Sequence, residues 1–205
     1  MTSLPKITNV DENNDTLKFT LSNLNLSYAN AIRRTIIADI PCIVFKSTPY
    51  TENNINIKIN KSRLNNELLK QRISCIPIHI DKLNDFPYEK YIVELHVINK
   101  TNNIIYVTTE NFKIKNIESN IYLEKEEVKQ IFPPNKITGD YIDIIRLRPK
   151  LTDNSEPEEI KLEAKLTISN AKDDSTFNVV CTCAYGNTLD PIKIKDAWDE
   201  KEKIL

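Results

Sequence analysis

Few residues in this chain have types and spacing that could support chemistry. Cys75 and His79 stand close together in ISCIPIHI, and a thiol beside an imidazole can form a nucleophilic thiolate. No glycine elbow or oxyanion loop adjoins them, and ISCIPIHI reads as a buried strand or turn, so packing is expected there rather than catalysis. Cys181 and Cys183 alternate in FNVVCTCAY and would point to the same side of a strand. Zinc takes a close, complete set of ligands, and the other candidates are only His79, His96 and distant cysteines, so packed core thiols are expected, with no metal and no cofactor. The glycines are Gly139 and Gly186 alone, which leaves no phosphate-cradling loop. What remains is arginine: Arg33 and Arg34 in LNLSYANAIRRTIIADI, and Arg72 in RLNNELLKQRIS. A guanidinium makes bidentate, partly buried contacts across interfaces, although exposed helix arginines also form ordinary weak salt bridges. Recognition, not catalysis, is the chemistry these residues suit.

The elements that must position the arginines are two helices. In the first, Ser27–Ile40, the 3.6-residue period puts Tyr28 or Ala29, Ile32, Ile36, Ile37 and Ile40 on one side and Asn30, Arg33, Arg34 and Asp39 largely on the other. Ser27 is the expected cap, and Pro41 ends the helix at Ile40. The second is expected over Arg63–Arg72, capped by Ser62, with Leu64, Leu68 and Leu69 inward. Before the first helix, Lys6–Val10 and Thr16–Leu21 read as a hairpin around DENND. Between the helices, CIVF is a buried strand, TPYTENN a loop, and Ile55–Ile59 a strand with its odd positions inward.

Composition changes after Asp81. DKLNDFPYEK is a polar connector, and strands dominate beyond it: Tyr91–Ile98 and Ile104–Thr108 around the turn NKTNN, then Asn111–Glu118. Glu124–Ile131 is a short helical turn at most, and FPPNKITGD is a loop. Tyr141–Arg148 and Glu159–Ser169 are long strands on either side of KLTDNSEPE. Phe177–Tyr185 is expected as the last strand, and KDAWDEKEKIL as a nascent helix. The class is α+β, divided as 1–80, a β-rich 81–185, and 186–205.

At 205 residues with 40% apolar content, a buried core is affordable. A formal charge of −1 gives no electrostatic reason for direct binding to nucleic acid or an anionic membrane. The 22 lysines against 6 arginines, with 30 isoleucines and 24 asparagines, point to an AT-rich source. Cysteines without a regular framework suit a reducing compartment, and no window approaches the roughly 20 apolar residues of a membrane span. A soluble, intracellular protein is expected.

LSYANAIRRTIIADIPCIVF followed by INKSRLNNELLKQRISCIPI resembles the signature of the RNA polymerase assembly subunit, the family of the bacterial alpha N-terminal domain, its archaeal counterpart and the third-largest subunit of eukaryotic polymerase II. YIDIIRLRPK and LEAKLTISNAKDDSTFNVVCTCAYG resemble the end of that family's inserted β-domain. The composition suggests the version of a large DNA virus, or an AT-rich cellular eukaryote. The resemblance implies an alpha-N-terminal-domain-like dimerisation domain, an antiparallel sheet with two helices, interrupted by an inserted β-rich domain. It implies a non-catalytic scaffold that pairs with a smaller alpha-like subunit and seats the large catalytic subunits, touching the second-largest one. DNA is met only through the complex, no membrane is involved, and the setting is the nucleus, or host cytoplasm and virion if viral. The residues implied in subunit contact are Asn30, Arg33, Arg34, Ile36, Ile37, Glu67 and Arg72. The sequence departs from the family in two places. Residues 81–180 hold no cysteine, where several relatives carry a zinc or iron–sulfur loop. WDEKEKIL also stops where a long final helix should begin, so the chain is expected to continue, or to be fused to its smaller partner; otherwise the dimer interface is incomplete. The alternative is a β-rich adaptor unrelated to transcription.

Overall fold

The first hairpin forms where TLKFTL alternates: β1 (Lys6–Asn13) pairs antiparallel with β2 (Thr16–Ser22). The register shifts between Thr8 and Asp11, where Asn9 takes a left-handed φ of 51°, a conformation asparagine tolerates better than most residues. The computed structural model describes residues 4–13, 15–80, 83, 86–150, 152, 155–189 and 191–202. Parts of the DENND turn, the DKLNDFPYEK connector, KLTDNSEPE and the final Lys203–Leu205 lie outside the described residues. After the hairpin come α1 (Leu26–Ala38), β3 (Cys42–Val44), β4 (Ile55–Asn60) and α2 (Asn66–Ser74). Then follow β5 (Tyr91–Ile98), β6 (Ile105–Thr108), β7 (Lys113–Asn116) and α3 (Lys125–Ile131). The chain ends with β8 (Asp143–Leu147), β9 (Glu159–Lys165), β10 (Thr167–Ser169) and α4 (Pro191–Glu202).

Packing separates the chain into two units, Met1–Ile37 with Val180–Leu205, and Ala38–Val179. Composition suggests a division at residue 80, yet β4, before that point, pairs with β9 beyond it, and β3 pairs with β10. The continuous unit is built on an antiparallel sheet in the order β4-β9-β5-β7, with β6-β8 and β3-β10 as separate pairs. The registers Leu95↔Leu162, Val93↔Ala164 and Val93↔Ile114 stack buried residues on one face, as period-2 alternation requires. Against that face lie Leu69 and Ile73 of α2, and an aromatic cluster in which Phe45 stacks on Phe132 at 6.1 Å and Phe112 meets Phe132 edge-on at 5.0 Å. Burying each such side chain contributes about 1.5–3 kcal/mol.

Several expectations are corrected. NKTNN does not join β5 to β6 as a hairpin, because β6 pairs with β8. Asn99 sits at that junction, where its buried amide donates to the carbonyls of Asn103, Leu147 and Arg148 at 2.8–3.0 Å and ties the turn to the end of β8. The second helix begins at Asn66 rather than Arg63. Asn65 is its cap, accepting the Leu68 N–H at 2.8 Å, while the Ser62 hydroxyl donates to Asn60 Oδ1 at 2.6 Å and accepts the Leu64 N–H at 3.3 Å in the turn before the helix. Leu69 is buried as expected, with Ile73 beside it in the core and Leu64 packed against it, whereas Leu68 is 48% exposed rather than inward. ISCIPIHI is not a strand but the last turn of α2 and an extended tail, with Cys75 exposed. FNVVCTCAY is not a strand either. Asp174 caps a 3-10 turn over Ser175–Phe177 that buries Phe177 and leaves Val179 and Cys181 exposed, so packed core thiols are not found there. Cys42 is part-buried: its thiol donates to the Phe177 carbonyl at 3.4 Å, and burial raises its pKa. The final helix starts at Pro191, earlier than KDAWDEKEKIL suggests.

Candidate subunit interface

Asn25, not Ser27, opens α1: its Oδ1 accepts the Ser27 N–H at 2.9 Å, and its carbonyl accepts Tyr28 N–H at 3.0 Å. The helix then runs to Ala38, short of Ile40. Its more covered face carries Ala29, Asn30, Arg33, Ile36 and Ile37, whereas Tyr28 is 65% exposed and Ile32 is also exposed. This corrects the expected partition, in which Asn30 and Arg33 face away from the apolar side. The reason is local. Arg33 donates from Nε and Nη2 to Asn30 Oδ1 at 3.1 and 3.0 Å, so its stem lies along the helix. Arg34 is exposed, and among the described residues no carboxylate is paired with either arginine.

Glu67 and Arg72 belong to the continuous unit and are described there. Glu67 stands exposed in the first turn of α2, where a carboxylate suits the helix dipole. Arg72, in the last turn, donates from Nη2 to the Asp143 carbonyl at 2.9 Å, tying α2 to the start of β8. Its role within this chain is therefore at least partly structural, a long-range contact that spacing does not reveal.

The most informative feature of the discontinuous unit is one the arginine motif does not mark. None of its described residues is fully buried, yet it displays Ile7, Val10 and Leu17 on the hairpin, Tyr28 on α1, and Ile192 and Trp198 on α4. Trp198 is 69% exposed. The signal was available as the alternation of TLKFTL and as a lone tryptophan in a charged tail. Soluble monomers rarely leave so much large apolar surface uncovered. Among the described residues, no helix is long and apolar enough to cross a membrane, and no group of three or more His, Cys, Asp or Glu could hold a metal ion.

The discontinuous unit thus carries an arginine pair on α1 and exposed apolar residues on its hairpin and on α4, and the sequence similarities fall on the third subunit of DNA-directed RNA polymerases, whose members are non-catalytic. DNA-directed RNA polymerase II subunit rpb3 of Dictyostelium discoideum is 31% identical over 90 residues, 44% of this chain and 28% of that protein. DNA-directed RNA polymerase subunit Rpo3 of Pyrococcus furiosus is 20% identical over 215 residues, 93% of this chain and 80% of that protein. A conjugation stage-specific protein of Tetrahymena thermophila is 24% identical over 180 residues, 82% of this chain and 54% of that protein. The chain thus spans 28% and 54% of the Dictyostelium and Tetrahymena proteins. No protein-family model matches it. The similarities support the alpha-like subunit family of RNA polymerases, and the mixed α+β architecture is compatible with an Rpo3-like fold.

Proposed function

We propose that this chain is a non-catalytic assembly subunit of a multisubunit DNA-dependent RNA polymerase, working inside the cell at the site of transcription. Its discontinuous unit, Met1–Ile37 with Val180–Leu205, is the dimerisation domain and pairs with a smaller alpha-like subunit, separate or fused. The unit Ala38–Val179 is the inserted domain. Asn30, Arg33, Arg34, Ile36, Ile37, Glu67 and Arg72 supply subunit contacts, Arg33, Arg34 and Arg72 among them seating the second-largest catalytic subunit, and DNA is met only through the complex. The bias to isoleucine and asparagine supports an AT-rich source, a large DNA virus included.

The observation that carries this reading is the uncovered apolar surface of the discontinuous unit, where no described residue is fully buried. Such a unit gains its core by binding, and its stability rises with partner concentration. A tagged full-length chain expressed in its native source should co-purify with the two largest polymerase subunits and one smaller chain. Recovery of the tagged chain without them overturns the proposal and leaves a β-rich adaptor as the reading.

A further inference from the structure

The continuous unit carries a cavity of about 850 Å³ beside β7 and α3 that the polymerase reading does not use. Its lining includes the buried Phe112, Val128 and Phe132, the two rings meeting edge-on. Exposed cations join them: Lys113 on β7, and Lys125 and Lys129 one turn apart on α3. None of the three has an ion-pair partner among the described residues. Thr109 also lines the cavity and is 1% exposed. Its N–H donates to the Ile142 carbonyl at 3.0 Å and its carbonyl accepts the Phe112 N–H at 3.2 Å, yet its hydroxyl has no hydrogen-bond partner among the described residues. Buried hydroxyls are normally satisfied.

We infer that this cavity docks an acidic peptide segment of a protein partner. An aromatic or aliphatic side chain sits against Phe112, Val128 and Phe132, flanking carboxylates pair with Lys113, Lys125 and Lys129, and the peptide backbone offers a partner to the Thr109 hydroxyl. The charge pattern selects this occupant. Glu110 and Glu126 also line the cavity and interrupt the lysines, so a uniformly charged phosphate backbone is repelled at two points, whereas a peptide that sets its few carboxylates at the lysines and neutral groups at the glutamates is not. An apolar lining favours a ligand that brings a large side chain over a bare anion. Strand addition is not the mode, because beyond β7 the Ile114 carbonyl already accepts Leu123 N–H at 2.8 Å and the Asn116 N–H is donated to the Ile121 carbonyl at 2.8 Å.

The test is a titration of the nitrogen-15-labelled full chain, followed by amide NMR. The probes are a pentapeptide with a central phenylalanine flanked by aspartates, the same peptide with lysines in their place, and an oligothymidylate. The acidic peptide should give saturable shifts at residues 110–113 and 125–129 in the millimolar range. Affinity should fall at least tenfold in the Lys125→Glu/Lys129→Glu variant and again in Lys113→Glu on the other element, each with an unchanged circular dichroism spectrum. No shifts at millimolar peptide, shifts elsewhere, equal binding of the basic peptide, preference for the oligothymidylate, or indifference to both variants each overturns the inference.

Discussion

Arg33 places two donors, Nε and Nη2, on the single Oδ1 of Asn30, at 3.1 and 3.0 Å. The amide orients the guanidinium without neutralising it, so the positive charge stays available to a partner carboxylate while the side chain loses some of its rotamer freedom beforehand. Asn30→Ala should therefore change the fold little, by about 1 kcal/mol or less in chemical denaturation, yet weaken capture of the second-largest subunit. The Arg33→Glu/Arg34→Glu variant should reduce that capture by about tenfold or more, on the order of 1.4 kcal/mol, with an unaltered melting curve of the isolated chain. Co-assembly equal to wild type in the double variant would remove these residues from the interface.

Asn99 is 0% exposed and uses both ends of its amide. Nδ2 donates to three carbonyls, and Oδ1 accepts the Thr101 N–H at 2.9 Å and hydroxyl at 2.8 Å. Asn99→Leu removes those bonds and leaves the buried Leu147 carbonyl without the Asn99 donor, and a loss of roughly 1–3 kcal/mol is expected from the penalty for a stranded buried group. Urea unfolding followed by circular dichroism measures it. A midpoint within error of wild type would mean that the amide does not fix the β5–β6 connection.

The frame of α2 gives a paired test. Leu69 is 0% exposed and neighbours the exposed Leu68, so the two positions separate the observed frame from the one that Ser62 capping implies. Leu69→Ala should cost about 2–5 kcal/mol through lost contacts and a residual cavity, while Leu68→Ala should stay within roughly 0.5 kcal/mol in the isolated chain. Equal losses at the two sites would contradict the packing of this helix.

The elements that read clearly in the sequence are those whose pattern and packing agree. β5 keeps its alternation because Val93 and Leu95 face the same core. The sequence signal fails where a polar side chain redirects the backbone. Asn65 caps α2 in place of Ser62; the Asn99 amide bonds the NKTNN turn to the end of β8; and Asp174 caps a 3-10 turn that ends at Phe177, where FNVVCTCAY begins. Each of these residues also serves in ordinary turns, so its type alone does not tell which backbone group it will bond. The arginine pair is legible from its helix, but the Asn30 contact depends on rotamer, and the bond from Arg72 to Asp143 joins residues 71 apart.

Asp174 supplies the pH-dependent test. The Thr176 backbone N–H at 3.0 Å is the main influence holding its carboxyl below the ordinary carboxylate value; burial opposes this, and the hydroxyls of Thr176 and Thr48, at 2.9 and 3.0 Å, add to it. A carboxyl whose folded pKa is depressed contributes stability that is present above its unfolded value, about 3.9, and is lost as pH falls through the folded one. Asp174→Ala should thus lower stability by about 1 kcal/mol at neutral pH, the usual loss for a capping side chain. Its deficit relative to wild type should hold down to the ordinary carboxylate pKa and shrink below it, as protonation removes the same interaction from the wild-type protein. Urea midpoints for both proteins between pH 7 and pH ~3 decide the matter: a deficit that stays constant across that range would show that the Asp174 charge does not stabilise the turn burying Phe177.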